Sequence, residues 1–299
     1  MPLDIMMPFY GRVDHFRLAV ESVLAQDNPD WRLTIVDDVF PDPEPGRWVN
    51  ALADARITYL RNESNLGVSG NFQRCVELMT ADYGMLMGCD DMMAPGFVSA
   101  IARLTDAFPE AAIIQPGVTV IDSAGQQSRP LPDRVKTFYR LPGSGSRAYS
   151  GENLAKSLLR GNWAYFPSLV WRSSWLQQIG FRADLTVVLD LAMLLEIVKR
   201  GGTLVLDDEP VFHYRRHSAS VSAVTGTDGS KFIEERTLFT ETAKDLRQIG
   251  WHRAARVADH HVSSRLNALT ELLALLAKGP SLGRRVLLSH VLNRPYPRR

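Results

Sequence analysis

Several carboxylates fall where a short apolar run has just ended, a position from which side chains can do chemistry. Asp90 and Asp91 follow the run Tyr83 to Met87, separated from it by Gly88 and Cys89. Two adjacent carboxylates on such a turn suit a hard divalent cation, Mg2+ or Mn2+, which takes oxygen ligands and leaves room for phosphate oxygens. The pair suits equally a solvated turn in which Asp91 caps the next helix. Asp37 and Asp38 repeat the arrangement after Leu33 to Val36. One of them could accept a hydrogen bond from a base N–H or a ribose hydroxyl, or simply close a turn, with Pro41, Pro43 and Pro45 marking a loop. Asp190 precedes a helical stripe, where a carboxylate is stabilised by the helix dipole. It reads as an N-terminal cap or as a general base able to reach a hydroxyl. His213 to Ser222 crowds Arg215, Arg216, His213, His217 and three serines into ten residues. Arginine grips phosphate oxygens in a planar fork and histidine binds phosphate or metal, although an exposed polar loop has the same composition.

These residues need elements to hold them. Val13, Phe16, Val20, Val23 and Leu24 recur at helical spacing after the run Leu3 to Met7. Ile57 to Leu60 is a further short run. Phe72, Cys75, Val76 and Met79 share one helical face, as do Phe97, Ile101, Leu104 and Phe108. Strands alternating with helices predict an α/β fold with an open, mostly parallel sheet flanked by helices. In such a sheet ligands bind beyond the carboxyl ends of the strands, so the loops at Pro8-Phe9-Tyr10, Asp37-Asp38 and Asp90-Asp91 are expected to share one mouth. Residues 125 to 150, rich in Pro, Gly, Ser and Arg, read as a loop. Helical spacing returns at Asn153 to Leu159 and at Leu191, Leu194, Leu195 and Val198, and Thr203 to Leu206 reads as a strand. A linker at 226 to 230 leads into a helix-rich segment from 231 to 278. The division expected is 1–110, 111–225 and a helical extension at 226–299.

Composition removes several classes of function. Lys plus Arg number 34 and Asp plus Glu 33, which argues against a nucleic-acid partner held by bulk phosphate attraction. The two cysteines, Cys75 and Cys89, make neither a disulfide framework nor a thiolate metal site. No secretory leader and no apolar run of membrane-spanning length is visible, so a cytoplasmic protein is expected. After Glu271 the chain carries Lys278, Arg284, Arg285, Arg294, Arg298 and Arg299 with no acidic residue. That end could lie near anionic headgroups at the inner face of the membrane, form a homodimer contact, or be a solvated tail. Gly143-Ser144-Gly145-Ser146 is not a dinucleotide loop, and no phosphate-loop, zinc-helix or nucleophile-elbow motif is present.

Taken in order, the pieces resemble the family 2 glycosyltransferases, inverting enzymes of the GT-A fold. Met7-Pro8-Phe9-Tyr10-Gly11-Arg12 resembles the family's P-x-Y-N opening. Ser22-Val23-Leu24-Ala25-Gln26 with Trp31-Arg32-Leu33 resembles S-I/V-L-x-Q followed by W/F-E-L. Ile35-Val36-Asp37-Asp38 matches I-V-D-D, and Asn65-Leu66-Gly67 with Asn71 matches N-x-G-x-x-x-N. Cys89-Asp90-Asp91 occupies the place of the D-x-D-type motif, with Gly88 where the fuller form has Asp. Leu189-Asp190 stands where the family has E-D, and Tyr214-Arg215-Arg216-His217 with Ser220 and Ser222 resembles Y-R-x-H-x-x-S-x-S. The resemblance covers about residues 3 to 222.

It implies transfer of a sugar from a nucleotide-diphosphate donor to an acceptor hydroxyl on a glycan or lipid-linked glycan. Pro8, Phe9, Tyr10, Arg12, Asp38, Asn65, Gly67 and Asn71 would line the nucleotide site, and Asp90 would hold the ribose. Asp91 and His217 would hold Mn2+ or Mg2+, and Arg215 and His217 would close on the phosphates. Asp190 would be the base. Trp163, read from its neighbours Asn162 and Pro167 rather than from the resemblance, is a core tryptophan or borders an acceptor sugar. The alternatives are a sugar-1-phosphate nucleotidyltransferase and a non-catalytic nucleotide- or glycan-binding protein of the same fold.

Overall fold

The computed structural model describes residues 2–216, 229–275, 282–294 and 296. Four strands open the chain: β1 (Leu3–Phe9), β2 (Trp31–Asp37), β3 (Ile57–Arg61) and β4 (Tyr83–Leu86). They pair in parallel in the order β3-β2-β1-β4, with Ile5 opposite Leu33 on one side and Met85 on the other. Helices α1 (Val13–Leu24), α2 (Glu44–Ala51) and α3 (Gly67–Leu78) make the crossovers. A parallel sheet covered on both faces has no wet side, which is why Leu3 to Met7 reads as a continuous apolar run. Five of the first six strand residues, and Asp4 among them, are buried. Asp4 is tolerated because its carboxylate accepts from Arg32 Nε at 3.0 Å and from the amides of Thr80 and Ala81.

The second half is mixed rather than parallel. Beyond the two-residue β5 (Met92–Met93) and helix α4 (Phe97–Ala107), strand β6 (Ile113–Ile121) is followed by α5 (Leu131–Tyr139), β7 (Arg147–Tyr149) and α6 (Gly151–Arg160). Then come β8 (Val170–Arg172), α7 (Ser173–Ile179), α8 (Leu189–Lys199) and the long β9 (Leu204–Arg215). The sheet continues β4-β8-β6-β9-β5, with β8 antiparallel to both neighbours and β7 added to β9. Two reversals at β8 bring β6 and β9 back to the direction of β1 to β4. Their carboxyl ends therefore emerge on the edge that carries Asp38 and Asp91. Residues 1–110 and 111–225 thus share one sheet, and the cores on its two faces draw on both segments. From the C-terminal extension, α9 (Ser230–Gln248) and α10 (His252–His260) send Leu238, Leu246 and Ala255 into the same core. The helices α11 (Val262–Leu275) and α12 (Leu282–Val291) close a smaller one around Phe232.

Three expectations are corrected here. The segment at 125 to 150 contains α5 and β7 rather than loop alone, because Pro130 and Pro132 sit at the start of the helix, where a missing N–H costs nothing. β6 was not among the expected strands; it carries Pro116-Gly117 and absorbs them through register shifts around Gly117. The strand at Thr203 to Leu206 is longer than expected: β9 runs on to Arg215. The linker at 226 to 230 lies largely outside the described residues.

Phe9 ends β1 with no exposed surface, its ring 4.2 Å from Phe16 and 5.0 Å from Phe40. It is a core residue, which corrects its expected place in the nucleotide site, whereas its neighbour Tyr10 is exposed. Phe9→Ala is expected to cost about 3–5 kcal/mol, measured by denaturant unfolding, whereas Tyr10→Ala leaves stability nearly unchanged.

Candidate active site

The chain runs outward through β1, β2 and β3 and then returns to add β4 beside β1, so the loops after β1 and β4 lie side by side at the point where the strand order reverses. These loops touch: a Cβ on Gly11 would lie 3.1 Å from Cys89 Sγ. The loop after β2 joins them through Asp38 N–H, which donates to Phe9 O at 3.0 Å, and through the edge contact of Tyr10 with Phe40 at 5.9 Å. Tyr10 is 57% exposed above this junction.

Asp38 is buried, and its carboxylate is heavily engaged. It accepts from the amide of Leu66 at 2.7 Å, the amide of Gly67 at 2.9 Å and Asn62 Nδ2 at 2.9 Å. Its charge therefore sits on the N-terminus of α3, where unpaired amides and the helix dipole favour an anion. Gly67 adopts φ +70 there, a left-handed value that suits glycine. Asn65 Nδ2 donates to Asp38 O, and Asn71, also buried, donates to Val36 O and accepts from Asn62. Asp38, Asn65, Gly67 and Asn71 come together: the buried Asp38 and Asn71 are bonded within the scaffold, and Asn65 and Gly67 stay exposed at its surface. Arg12 is exposed and paired with Asp14. Pro8 lies within β1, half-buried.

The turn after β4 has a different electrostatic character. The carboxylates of Asp90 and Asp91 converge over Gly88: a Cβ there would stand 2.9 Å from Asp90 Oδ1 and 2.5 Å from Asp91 Oδ2. Burial and the neighbouring charge of Asp90 push the Asp91 carboxyl well above the usual aspartate range. Arg215, at the end of β9, pins this turn. Its amide donates to Asp91 Oδ1 at 2.7 Å, and its guanidinium donates to the carbonyls of Asp90 at 2.7 Å and Asp122 at 3.1 Å. Arg215 is 2% exposed, so the expectation of a phosphate clamp is corrected: a buried guanidinium needs its donors filled, and backbone carbonyls fill them. His217, Ser220 and Ser222 lie outside the described residues.

The donor set fits a divalent cation. Two converging carboxylates occupy the space that an aspartate at position 88 would have filled. Among the described residues no group of three or more His, Cys, Asp or Glu side chains could hold a metal. Such a pair suits Mg2+ or Mn2+, which commonly takes one or two protein carboxylates and completes its shell with phosphate and water oxygens.

Asp190 is the second residue of α8. Asn162 Nδ2 donates to its Oδ2 at 2.8 Å and the amide of Leu191 to its Oδ1 at 2.7 Å. Burial nevertheless raises its pKa above the ordinary aspartate value, outweighing these bonds and the nearby Lys136. Lys136 donates to Ala164 O at 2.8 Å, lies 4.3 Å from the centre of the Tyr165 ring, and is pushed down to about 8 by burial. Asp133, one turn earlier on α5, pairs through both oxygens with Arg216 and accepts from the Tyr165 hydroxyl at 3.0 Å. Tyr165 in turn packs 5.2 Å from Tyr214, whose hydroxyl is raised by burial and by the charge of Asp91, among others. A continuous chain of contacts and fields thus runs from Asp91 through Tyr214, Tyr165 and Lys136 to Asp190. On the donor side, Ser69 on α3 donates to Leu185 O, just ahead of α8.

Trp163 is a further correction. It is 1% exposed and its indole N–H donates to Ser157, whose hydroxyl donates to Tyr139 O at the end of α5. A buried indole needs such a partner, so Trp163 anchors α5 and offers no face to a sugar. The residues that sequence reasoning missed are Asp133, Lys136 and Tyr165. Asn162 was visible beside Trp163, and its Oδ1 is buried without a hydrogen-bond partner.

The family model described as Glycosyl transferase family 2 matches residues 4–166. The putative colanic acid biosynthesis glycosyl transferase WcaA of Escherichia coli (strain K12) is 34% identical over 98 residues, which are 32% of this chain and 35% of WcaA. The succinoglycan biosynthesis protein ExoO of Rhizobium meliloti (strain 1021) is 24% identical over 222 residues, 73% of this chain and 62% of ExoO. The chain therefore spans only about a third to three fifths of these relatives. Among solved structures, S. aureus TarS 1-349 in complex with UDP-GlcNAc superposes with a TM-score of 0.65 at 13% identity, covering 99% of this chain and 93% of that one. The mannosyltransferase PcManGT from Pyrobaculum calidifontis, in complex with GDP-Man and Mn2+, gives 0.62 at 14%, covering 97% and 79%. At these identities the likeness shows the fold, and it is the GT-A arrangement expected from the sequence.

Asp38→Ala leaves the Leu66 amide without an acceptor and takes one of two acceptors from the Gly67 amide and from Asn62 Nδ2. The expected loss is about 2–3 kcal/mol, read as a shift in the denaturation midpoint. Wild-type stability in this variant would free Asp38 for a direct ligand role.

Proposed function

Because the chain belongs to glycosyl transferase family 2, we propose that it transfers a sugar from a nucleotide-diphosphate donor to an acceptor hydroxyl, with inversion at the anomeric carbon and with a divalent cation. The observation that carries this reading is the pairing of two unlike carboxylate sites along one connected path. Asp90 and Asp91 form a concentrated negative site, and Asp190 is a single half-buried carboxylate fixed by Asn162. The relatives' names support a role in polysaccharide assembly, and the donors named with the structural neighbours, UDP-GlcNAc and GDP-Man, support a nucleotide-sugar.

In this reading Tyr10 and Arg12 receive the base, and the scaffold built on Asp38 fixes the loop beneath them. Asp90 and Asp91 hold the cation. The cation they would hold would supply positive charge to offset the charge that develops on the leaving diphosphate. Asn162 fixes one oxygen of Asp190, so the carboxylate faces the acceptor in a defined orientation. Asp190 accepts the hydroxyl proton as that oxygen bonds to the anomeric carbon and the bond to the diphosphate breaks on the opposite face. The orphaned Asn162 Oδ1 is a ready acceptor for a second hydroxyl of the incoming sugar. Lys136 tempers the field at Asp190, and with a pKa near 8 it does so without a fully secured charge. Among the described residues no helix is long and apolar enough to cross a membrane. The basic C-terminal region is proposed as a contact with a membrane surface at its inner face or with a second copy.

A base must be ionised to work, so activity is expected to fall on acidification through a pKa above the usual aspartate range. Asp190→Asn is expected to reduce release of nucleoside diphosphate from the donor by about 10²- to 10⁴-fold. Asp190's raised pKa also fixes a sign for stability. The folded state holds the extra proton between the ordinary and the raised value, and stability is lost as pH rises through that window. Asp190→Asn is therefore expected to melt higher than wild type at neutral pH, with the difference shrinking toward pH 4. Undiminished turnover in this variant would remove Asp190 from its role.

A thermal-shift panel of nucleotide sugars is expected to single out one donor, with the shift requiring Mn2+ or Mg2+. A shift of equal size in the presence of a chelator would count against the cation.

A further inference from the structure

Helix α5 (Leu131–Tyr139) has two faces with opposite characters. At 100° per residue, Asp133 and Lys136 point to one side of the helix, and Leu131, Val135 and Phe138 to the other. The first side is built into the candidate active site, with Asp133 on Arg216 and Tyr165, and Lys136 beside Asp190. The second side is bare: Leu131 is 70% exposed, Val135 44% and Phe138 86%. The Phe138 ring meets the ring of its own neighbour, Tyr139, at 5.8 Å.

The charge around this stripe is of one sign. Between residues 125 and 150 stand Arg129, Arg134, Lys136, Arg140 and Arg147, with Asp133 the one acidic residue. Asp133 is spent on Arg216, while Arg140 and Arg147 are held by Asp208. Arg129 and Arg134 are exposed at the rim of the apolar stripe, and no ion pair to either occurs among the described residues. An apolar strip edged by arginines, on a helix of low overall hydrophobicity, matches an interface between water and hydrocarbon that carries negative headgroups. A protein groove would need complementary acidic and apolar surface of its own, whereas an anionic bilayer offers both to any short helix.

We propose that α5 is a membrane-docking helix, with Leu131, Val135 and Phe138 inserted at the headgroup boundary of an anionic bilayer and Arg129 and Arg134 on its phosphates. Its opposite face carries Lys136, whose charge is felt at Asp190, so docking would bring the lipid surface to the side of α5 away from that base. The inference goes beyond the transferase reading, since docking needs neither donor nor turnover.

The test uses the full chain and sedimentation with vesicles. One set is phosphatidylcholine containing about one-third phosphatidylglycerol, and the other is phosphatidylcholine alone. Wild type is expected to bind the anionic set at least roughly tenfold better. The double variant Leu131→Ser/Phe138→Ser, and separately Arg134→Glu, are expected to lose roughly tenfold or more on that set. Their melting temperatures are expected to match wild type, because these side chains are exposed. Phe138→Trp is expected to shift its emission to the blue on anionic vesicles. Three results would each overturn the proposal: no preference for the anionic set, unchanged binding by the double variant, or an unmoved tryptophan emission. A dimer in size-exclusion chromatography that Phe138→Ser dissociates, without vesicle binding, would also overturn it and assign the stripe to a second copy.

Discussion

Two carboxylates brought together over a glycine in a water-poor turn are unfavourable by themselves, and much of the surrounding architecture exists to hold them there. Asp90 and Asp91 both reach the space above Gly88, and burial with mutual repulsion favours a proton or a cation on Asp91. Removing Arg215 from its backbone carbonyls would release the turn, so the buried guanidinium is best understood as a strut. It supplies positive charge close by while leaving Asp90 Oδ1 and Asp91 Oδ2 gathered over Gly88. The long β9 matters for the same reason: only a strand reaching Arg215 beside Ile121 can place that strut.

The second half of the site is organised around a helix instead. α5 turns Asp133 and Lys136 inward, and the charge of Lys136 is felt at Asp190. Trp163 and Ser157 fix its far end through Tyr139 O. Asp190 itself is held by an amide rather than by a cation, so it keeps a raised pKa and its basicity. A salt bridge in the place of Asn162 would have lowered that pKa and weakened the base. The two carboxylate sites therefore differ in what stabilises them, and the difference matches a division between gripping a charged donor and accepting a proton.

Much of this was legible in the residues. The run from Leu3 to Met7, the doublets Asp37-Asp38 and Asp90-Asp91, and the stripe behind Asp190 are local patterns, and each sits where its pattern placed it. What stayed hidden depends on contacts distant in sequence. Nothing near Asp38 says that its oxygens will be taken by Leu66 and Gly67, or near Arg215 that its fork will meet the carbonyls of Asp90 and Asp122. Trp163 looked like a sugar platform because an aromatic beside Asn162 has that appearance; burial is a property of the whole core. α5 was obscured by composition, since its prolines and arginines resemble a loop, although Leu131, Val135 and Phe138 keep helical spacing. β6 was not expected; it carries Pro116-Gly117, which a register shift accommodates.

The claim that the space over Gly88 is a cation site can be tested by filling it. Mn2+ binding, followed by equilibrium dialysis with UDP or GDP present, is compared between wild type and Gly88→Ala. The added Cβ would press on both carboxylates without touching Asp190 or α5. The expected result is one Mn2+ per wild-type chain and a loss of roughly tenfold or more in affinity for the variant, with its melting temperature little changed. Equal affinity in the two proteins would contradict the account, because a methyl group cannot share that position with a carboxylate-bound ion.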